Sequence, residues 1–168
     1  MIVEKEPAEV TAAEVFAFSQ HDYYSKQLES SFYKKWRWAG FNPSALLFGS
    51  NWFFYRKLHL FGLLYLLSSC VIFIGTSFIK EDTNYIYDFD AHIRNIRLAG
   101  LLGNRILFSI IANNLYFIKA FRVIKSESLQ NYTNQEYLAV LKLRGGVSYA
   151  VPIVISLLGG LFLLFLRS

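Results

Sequence analysis

The sequence has one cysteine, three prolines and one methionine, and no acidic residue between Glu29 and Glu81. A single cysteine, Cys70, excludes an internal disulfide and a cysteine-based zinc site. Lying within an apolar run, it is expected to be a small buried residue. There is no Gly-x-Ser-x-Gly, no Walker loop, no His-Glu-x-x-His and no nucleophile–base or paired-carboxylate constellation. The histidines, His21, His59 and His92, have no metal-ligand spacing. The acids Glu81-Asp82 and Asp88-Phe89-Asp90 lack the fixed spacing and glycine of a calcium loop and are expected in a solvated loop. The chain is therefore expected to be non-enzymatic, with no metal and no cofactor.

What is present is apolar and aromatic. Of 168 residues, 54% are hydrophobic and 18% aromatic, which is high for a soluble domain. The net charge of +5 sits in short clusters beside apolar runs, an arrangement suited to anionic headgroups rather than to nucleic acid. Within the acid-free gap, Lys34, Lys35 and Arg37 lead to Trp52-Phe53-Phe54-Tyr55, then to Arg56-Lys57, and then to the uncharged run Leu58–Ile79. Such a run is long enough for a hydrocarbon core of about 30 Å. Cations and aromatics ahead of it are the pattern of a helix entering a bilayer from the cytoplasm, with Trp52, Tyr55, Arg56 and Lys57 as interface anchors.

Three segments follow from this pattern. Residues 1–40 form a cytoplasmic amphipathic helical lead without a cleavable signal peptide. A capping box at Thr11-Ala12-Ala13-Glu14 starts a stripe of Val15, Phe16, Phe18, Tyr23, Tyr24, Leu28, Phe32 and Tyr33. The stripe is read as a packing face or a membrane-surface helix. Residues 41–57, with Pro43 after Asn42 and a weak point at Gly49–Asn51, rise only ~22 Å as a helix. They are expected to form an interfacial or re-entrant helix; a longer kinked span is the alternative. Residues 58–168 hold three transmembrane spans, at about 58–79, 98–118 and 147–166, in an all-α integral membrane protein.

Cation counts orient the spans. The lead to Lys57 has seven, residues 80–97 have three against four acids, and residues 119–146 have five against two. The N-terminus and the 119–146 loop are thus expected in the cytoplasm, and residues 80–97 and the C-terminus outside.

Phe41, Asn42, Ala45, Phe48, Gly49, Trp52, Tyr55, Arg56 and Lys57 resemble the signature of a bacterial membrane family known as domain of unknown function 2628. Asp22-Tyr23-Tyr24, Asn114-Leu115-Tyr116 and Leu143-Arg144-Gly145-Gly146 are similar to further patches of it. Pro43 departs from the aromatic residue common there. The resemblance implies a multi-pass protein of the bacterial inner membrane and no particular activity.

The polar residues of the second span are the sharpest candidates for function. Arg105, Ser109 and Asn113 recur every four residues and share a helical face. An ionisable group inside a span costs on the order of 2.5–3.5 kcal/mol, so Arg105 is read as glue to another helix or subunit, as snorkelling outward, or as part of a solute path. On the third span, Ser156, Gly159 and Gly160 make a small-residue face for a neighbouring helix. Gly145-Gly146 is expected to end the loop helix before that span. The expected function is an accessory or scaffolding subunit of a larger membrane complex. Its partners are the lipid bilayer and other membrane subunits, not nucleic acid. A small homo-oligomeric transporter or channel using the Arg105–Asn113 face is the alternative.

Overall fold

The first helix begins where the capping box is expected. The Thr11 hydroxyl accepts from the Glu14 amide, and the Glu14 carboxylate accepts from the Thr11 amide at 2.8 Å. The structure is a computed structural model and describes residues 10–29, 38–79, 89–130 and 132–167. All regular structure among them is helical: α1 (Ala12–Ser19), α2 (Asp22–Glu29), α3 (Pro43–Phe48), α4 (Ser50–Tyr55), α5 (His59–Ser77), α6 (Phe89–Ser128), α7 (Asn134–Arg144) and α8 (Ala150–Arg167).

The aromatic stripe of α1 and α2 is a packing face. Val15, Phe18 and Tyr24 are buried, while Phe16 and Tyr23 remain outward. Phe32 and Tyr33 lie outside the described residues. Residues 41–57 resolve into two short helices. Asn42 caps α3 by accepting from the Ala45 amide at 2.8 Å, with Pro43 in the first turn, where its missing amide costs nothing. Gly49 then turns the chain at φ +54°, and a Cβ there would lie 2.9 Å from the Tyr65 hydroxyl. Both the dihedral and the space demand glycine. Lys57, at φ +56°, breaks the chain again before α5. The segment is therefore not continuous with the first span.

α5 and α6 form an antiparallel hairpin. Asn104 Nδ2 donates to Ser69 Oγ at 3.0 Å, and Ser68 Oγ donates to Asn104 Oδ1 at 3.0 Å. At the far end Arg97 donates to Thr76 and Ser77 and lies over the Phe73 ring at 4.3 Å, placing a cation at the C-terminus of α5. Replacing Asn104 with valine should lower stability by about 1 kcal/mol, the usual worth of such an interhelical bond. Denaturation of the detergent-solubilised protein followed by circular dichroism checks this.

Among the described residues, two helices are long and apolar enough to cross a membrane by length and composition, His59–Ser77 and Ala91–Ser128. α8 occupies the place of the third predicted span. One expectation, the burial of Cys70, is corrected, and two helices extend beyond what the pattern marks. α6 has 40 residues, about 60 Å, and runs well past both ends of 98–118. In its continuation one face is packed by α1 and α7, while Arg122 and Lys125 are exposed on the other. Residues 119–146 are accordingly mostly the end of α6 and α7, the helix that Gly145 ends as expected. Cys70 is exposed, because the buried face of α5 carries Gly62, Tyr65 and Thr76. The acids Glu81, Asp82 and Asp88, with Tyr85 and Tyr87, lie outside the described residues.

The second half of α6 is the axis of a helical head. Ser109, Ala112, Asn113, Tyr116, Phe117, Ala120, Ile124 and Glu127 are buried along it at helical spacing. α1 and α7 pack on this face, and α1 packs on α2 and α7. α7 starts with its own capping box, Thr133 with Glu136, whose hydrogen bonds hold the Glu136 carboxylate below its usual range. Tyr137 Oη donates to Glu14 at 2.7 Å and so ties α7 to α1. Burial, then that bond, pushes the Tyr137 hydroxyl upward. α7 ends at Gly145, and the Gly146 amide donates to Phe18 O at 2.7 Å.

Candidate functional site

The site is assembled from α6 outward. Two adjacent asparagines hold the extended segment 38–42 against this helix. Asn114 Oδ1 accepts from the Ala39 amide at 2.6 Å, and Asn113 Oδ1 accepts from Asn42 Nδ2 at 2.6 Å. Asn113 Nδ2 donates towards Tyr23 Oη at 3.0 Å and Ala39 O at 3.1 Å. The Asn42 amide donates to Ser109 O at 3.0 Å. Because Asn42 also caps α3, these bonds fix α3, and through it α4 and its last residues.

At the end of α4 sits Arg56, 7% exposed. Its guanidinium lies 5.0, 5.3 and 5.2 Å from the ring centres of Tyr24, Tyr55 and Tyr116. Nη1 donates to Ser19 O, the C-terminal carbonyl of α1, at 3.2 Å. Among the described residues no carboxylate pairs with it; the ion pair found there joins Arg144 to Glu127 at 2.8 Å. Burial pushes the Tyr24 hydroxyl up to about 12 against the opposing pull of Arg56. Tyr24 therefore stays neutral and offers a ring face, not a counter-charge. Arg56 Nε and Tyr116 Oη are buried without a hydrogen-bond partner.

Other cations cap the helix ends nearby. Lys57 Nζ donates to Leu143 O at 2.9 Å, and Lys119 Nζ donates to Arg56 O and Lys57 O at 3.2 and 3.1 Å. The C-termini of α1, α4 and α7 thus meet in one place, and their carbonyls draw in positive side chains. Two adjoining clefts open on Arg56. One of about 420 Å³ is lined by His21, Ser44, Phe48, Asn51, Trp52, Tyr55, Arg56 and Pro152. The other, about 290 Å³, shares His21, Ser44, Trp52 and Arg56 and reaches Tyr23, Tyr24 and Asn42.

The residues singled out from sequence are dispersed. Ser109 and Asn113 are fully buried, facing segment 38–42. Arg105, one turn before Ser109, is exposed, and the polar contact to α5 comes from its neighbour Asn104. Ser156 is exposed on α8 and accepts from Asn51 Nδ2 at 3.2 Å. Gly159 and Gly160 lie within α8. Of the residues read as interface anchors, Trp52 and Arg56 are buried, because α4 folds back on α6 and α5. Tyr55 pairs its hydroxyl with that of Tyr149 at 3.5 Å, which raises its pKa. The residues that sequence reasoning missed are Tyr24, Tyr116 and His21 as walls of the Arg56 site. Only the acid-free context of Arg56 pointed toward it, and that feature also fits a lipid contact.

No curated protein and no solved structure matches the chain. The model of a family described as Protein of unknown function (DUF2628) matches residues 6–122, well over half of it. That stretch contains α1 to α5 and most of α6, including the signature from Phe41 to Lys57 that builds the Arg56 site. The chain belongs to this family, DUF2628.

Proposed function

We propose that the protein is a non-enzymatic accessory or scaffolding subunit of a larger bacterial inner-membrane assembly. In this reading α5, the middle of α6 and α8 cross the bilayer, with the N-terminus and head in the cytoplasm and the C-terminus outside. The observation that carries it is the contrast between the two faces of the long helices. Leu63, Leu67, Val71, Leu102, Ile106, Val154 and Leu157 are exposed and apolar, whereas Ser109 and Asn113 are turned inward and bonded. Exposed apolar surface of that kind is covered by lipid or by neighbouring chains. α8 rests mainly on α4, which leaves its outer face open to a partner helix.

The clustering of Arg56, Lys57, Lys119 and Arg144 at the head end of the hairpin supports a cytoplasmic head. A solute path along Arg105, Ser109 and Asn113 has less support, since those residues do not line a common space. Gentle detergent extraction should co-purify stoichiometric partners; a clean monomer at normal yield would overturn the proposal. A reporter fused after residue 168 should read as external, and a cytoplasmic signal would reject the orientation.

A further inference from the structure

An arginine cannot shed its proton in a protein, so Arg56 carries a full positive charge where water is largely excluded. Removing such a charge from water costs several kcal/mol, to be offset by partners. Three aromatic faces and one carbonyl offset part of that cost. The Nε donor and the Tyr116 hydroxyl remain unused. Tyrosines Tyr24 and Tyr55 offer ring faces but no negative charge. Among the described residues, what the pocket lacks is an anion.

The surrounding groups match one. His21 Nδ1 accepts from the Tyr23 amide at 3.2 Å, which puts the ring proton on Nε2 and makes that nitrogen a donor. Ser44 adds a hydroxyl on the shared wall of both clefts. Asn51 Oδ1, buried without a partner in the larger cleft, is an acceptor suited to a ligand hydroxyl. Arginine with neutral donors is the donor set for a tetrahedral oxyanion, and a cleft of about 420 Å³ falls within the range of small-ligand sites. The larger cleft also touches Phe48, which is 63% exposed, and Pro152 at the start of α8. One wall is thus polar and cationic and the other apolar, beside the N-terminal end of α5.

We propose that this cleft binds a phosphate-class oxyanion, held by Arg56 with His21 and Ser44, carried on a phospholipid headgroup or free in solution. The site stands independently of any protein partner, so it survives or fails separately from the scaffolding reading.

The test uses the full chain purified in detergent. It is titrated by calorimetry with inorganic phosphate, with short-chain phosphatidylglycerol and with phosphatidylcholine of the same chain length. Saturable binding is expected, weakened about ten-fold or more by Arg56→Gln. Binding of phosphatidylglycerol but not inorganic phosphate makes a lipid the source; saturable binding of both admits the free anion. Since Arg56→Gln could also fail to fold, the double variant His21→Gln/Ser44→Ala provides a second measure. It should keep the wild-type melting curve and bind several-fold more weakly. Absence of saturable binding by the wild type overturns the proposal. So does wild-type affinity in Arg56→Gln, or in the double variant where Arg56→Gln does not fold. Equal uptake of both lipids, untouched by either change, is adsorption and also overturns it.

Discussion

Gly145→Ala is expected to cost about 3 kcal/mol or more, the largest effect of an added methyl group at any of the described glycines. A Cβ at position 145 would overlap the carbonyl oxygen of Phe18, and it would also press on the Phe18 ring. A side chain can swing away from such a clash, but a carbonyl at the end of a helix cannot. Phe18 O already accepts from the Gly146 amide, and the next carbonyl, Ser19 O, accepts from Arg56. Moving α1 by the necessary ångström would break both bonds at once. The expected result is a lower denaturation midpoint and a head that is more readily cleaved by protease. Gly100→Ala provides the contrast: its nearest foreign atom is a methyl of Ile72, which can rotate, so a much smaller loss is expected there. Equal effects of the two changes would contradict the packing described for α1 and α7.

Asn113→Leu should destabilise by about 2–4 kcal/mol, although leucine is the more apolar residue and α6 is an apolar helix. The side chain of Asn113 is fully buried and serves the Asn42 side chain, the Tyr23 hydroxyl and the Ala39 carbonyl. Leucine would leave the Asn42 amide group buried without its acceptor, and that desolvation is what the loss measures. A second consequence separates this from a simple core defect. Asn42 caps α3, and α3 leads to Arg56, so phosphate or lipid binding at the cleft should weaken together with stability. Asn104→Val, on the same helix but bonded only to α5, should leave the cleft unchanged.

Much of the helical layout could be read from the chain because it rests on short-range chemistry. Thr11-x-x-Glu14 and Asn42-Pro43 mark helix starts, and Gly49 marks a turn, through interactions within three or four residues. The same pattern at Thr133-x-x-Glu136 starts α7, the helix that Gly145-Gly146 marks at its other end. Arg105 drew attention for its charge, whereas it is its uncharged neighbour Asn104, with Arg97, that bonds α6 to α5. A one-residue difference rotates a helix position by about 100°, and periodicity alone does not say which face finds a partner. The surroundings of Arg56 were hidden for a related reason. A cation beside aromatics in the sequence does not show that α4 folds back and sets three tyrosine rings around it. The burial of α6 beyond residue 118 likewise depends on α1 and α7, which are distant in sequence.

The two arms of the hairpin differ greatly in length, 19 residues in α5 against 40 in α6. The bonds of Asn104 to Ser68 and Ser69, and of Arg97 to Thr76, set one arm against the other and prevent sliding. With α5 filling a hydrocarbon layer, the final 14 or so residues of α6 stand about 20 Å clear of it. Nothing in that stretch is a hinge, since proline is absent and the face is packed from Ala112 to Glu127. The head is therefore mounted on a stiff post of fixed height; in the proposed membrane arrangement it would ride with the bilayer surface, and anything grasping it would be held at a set distance from the lipid.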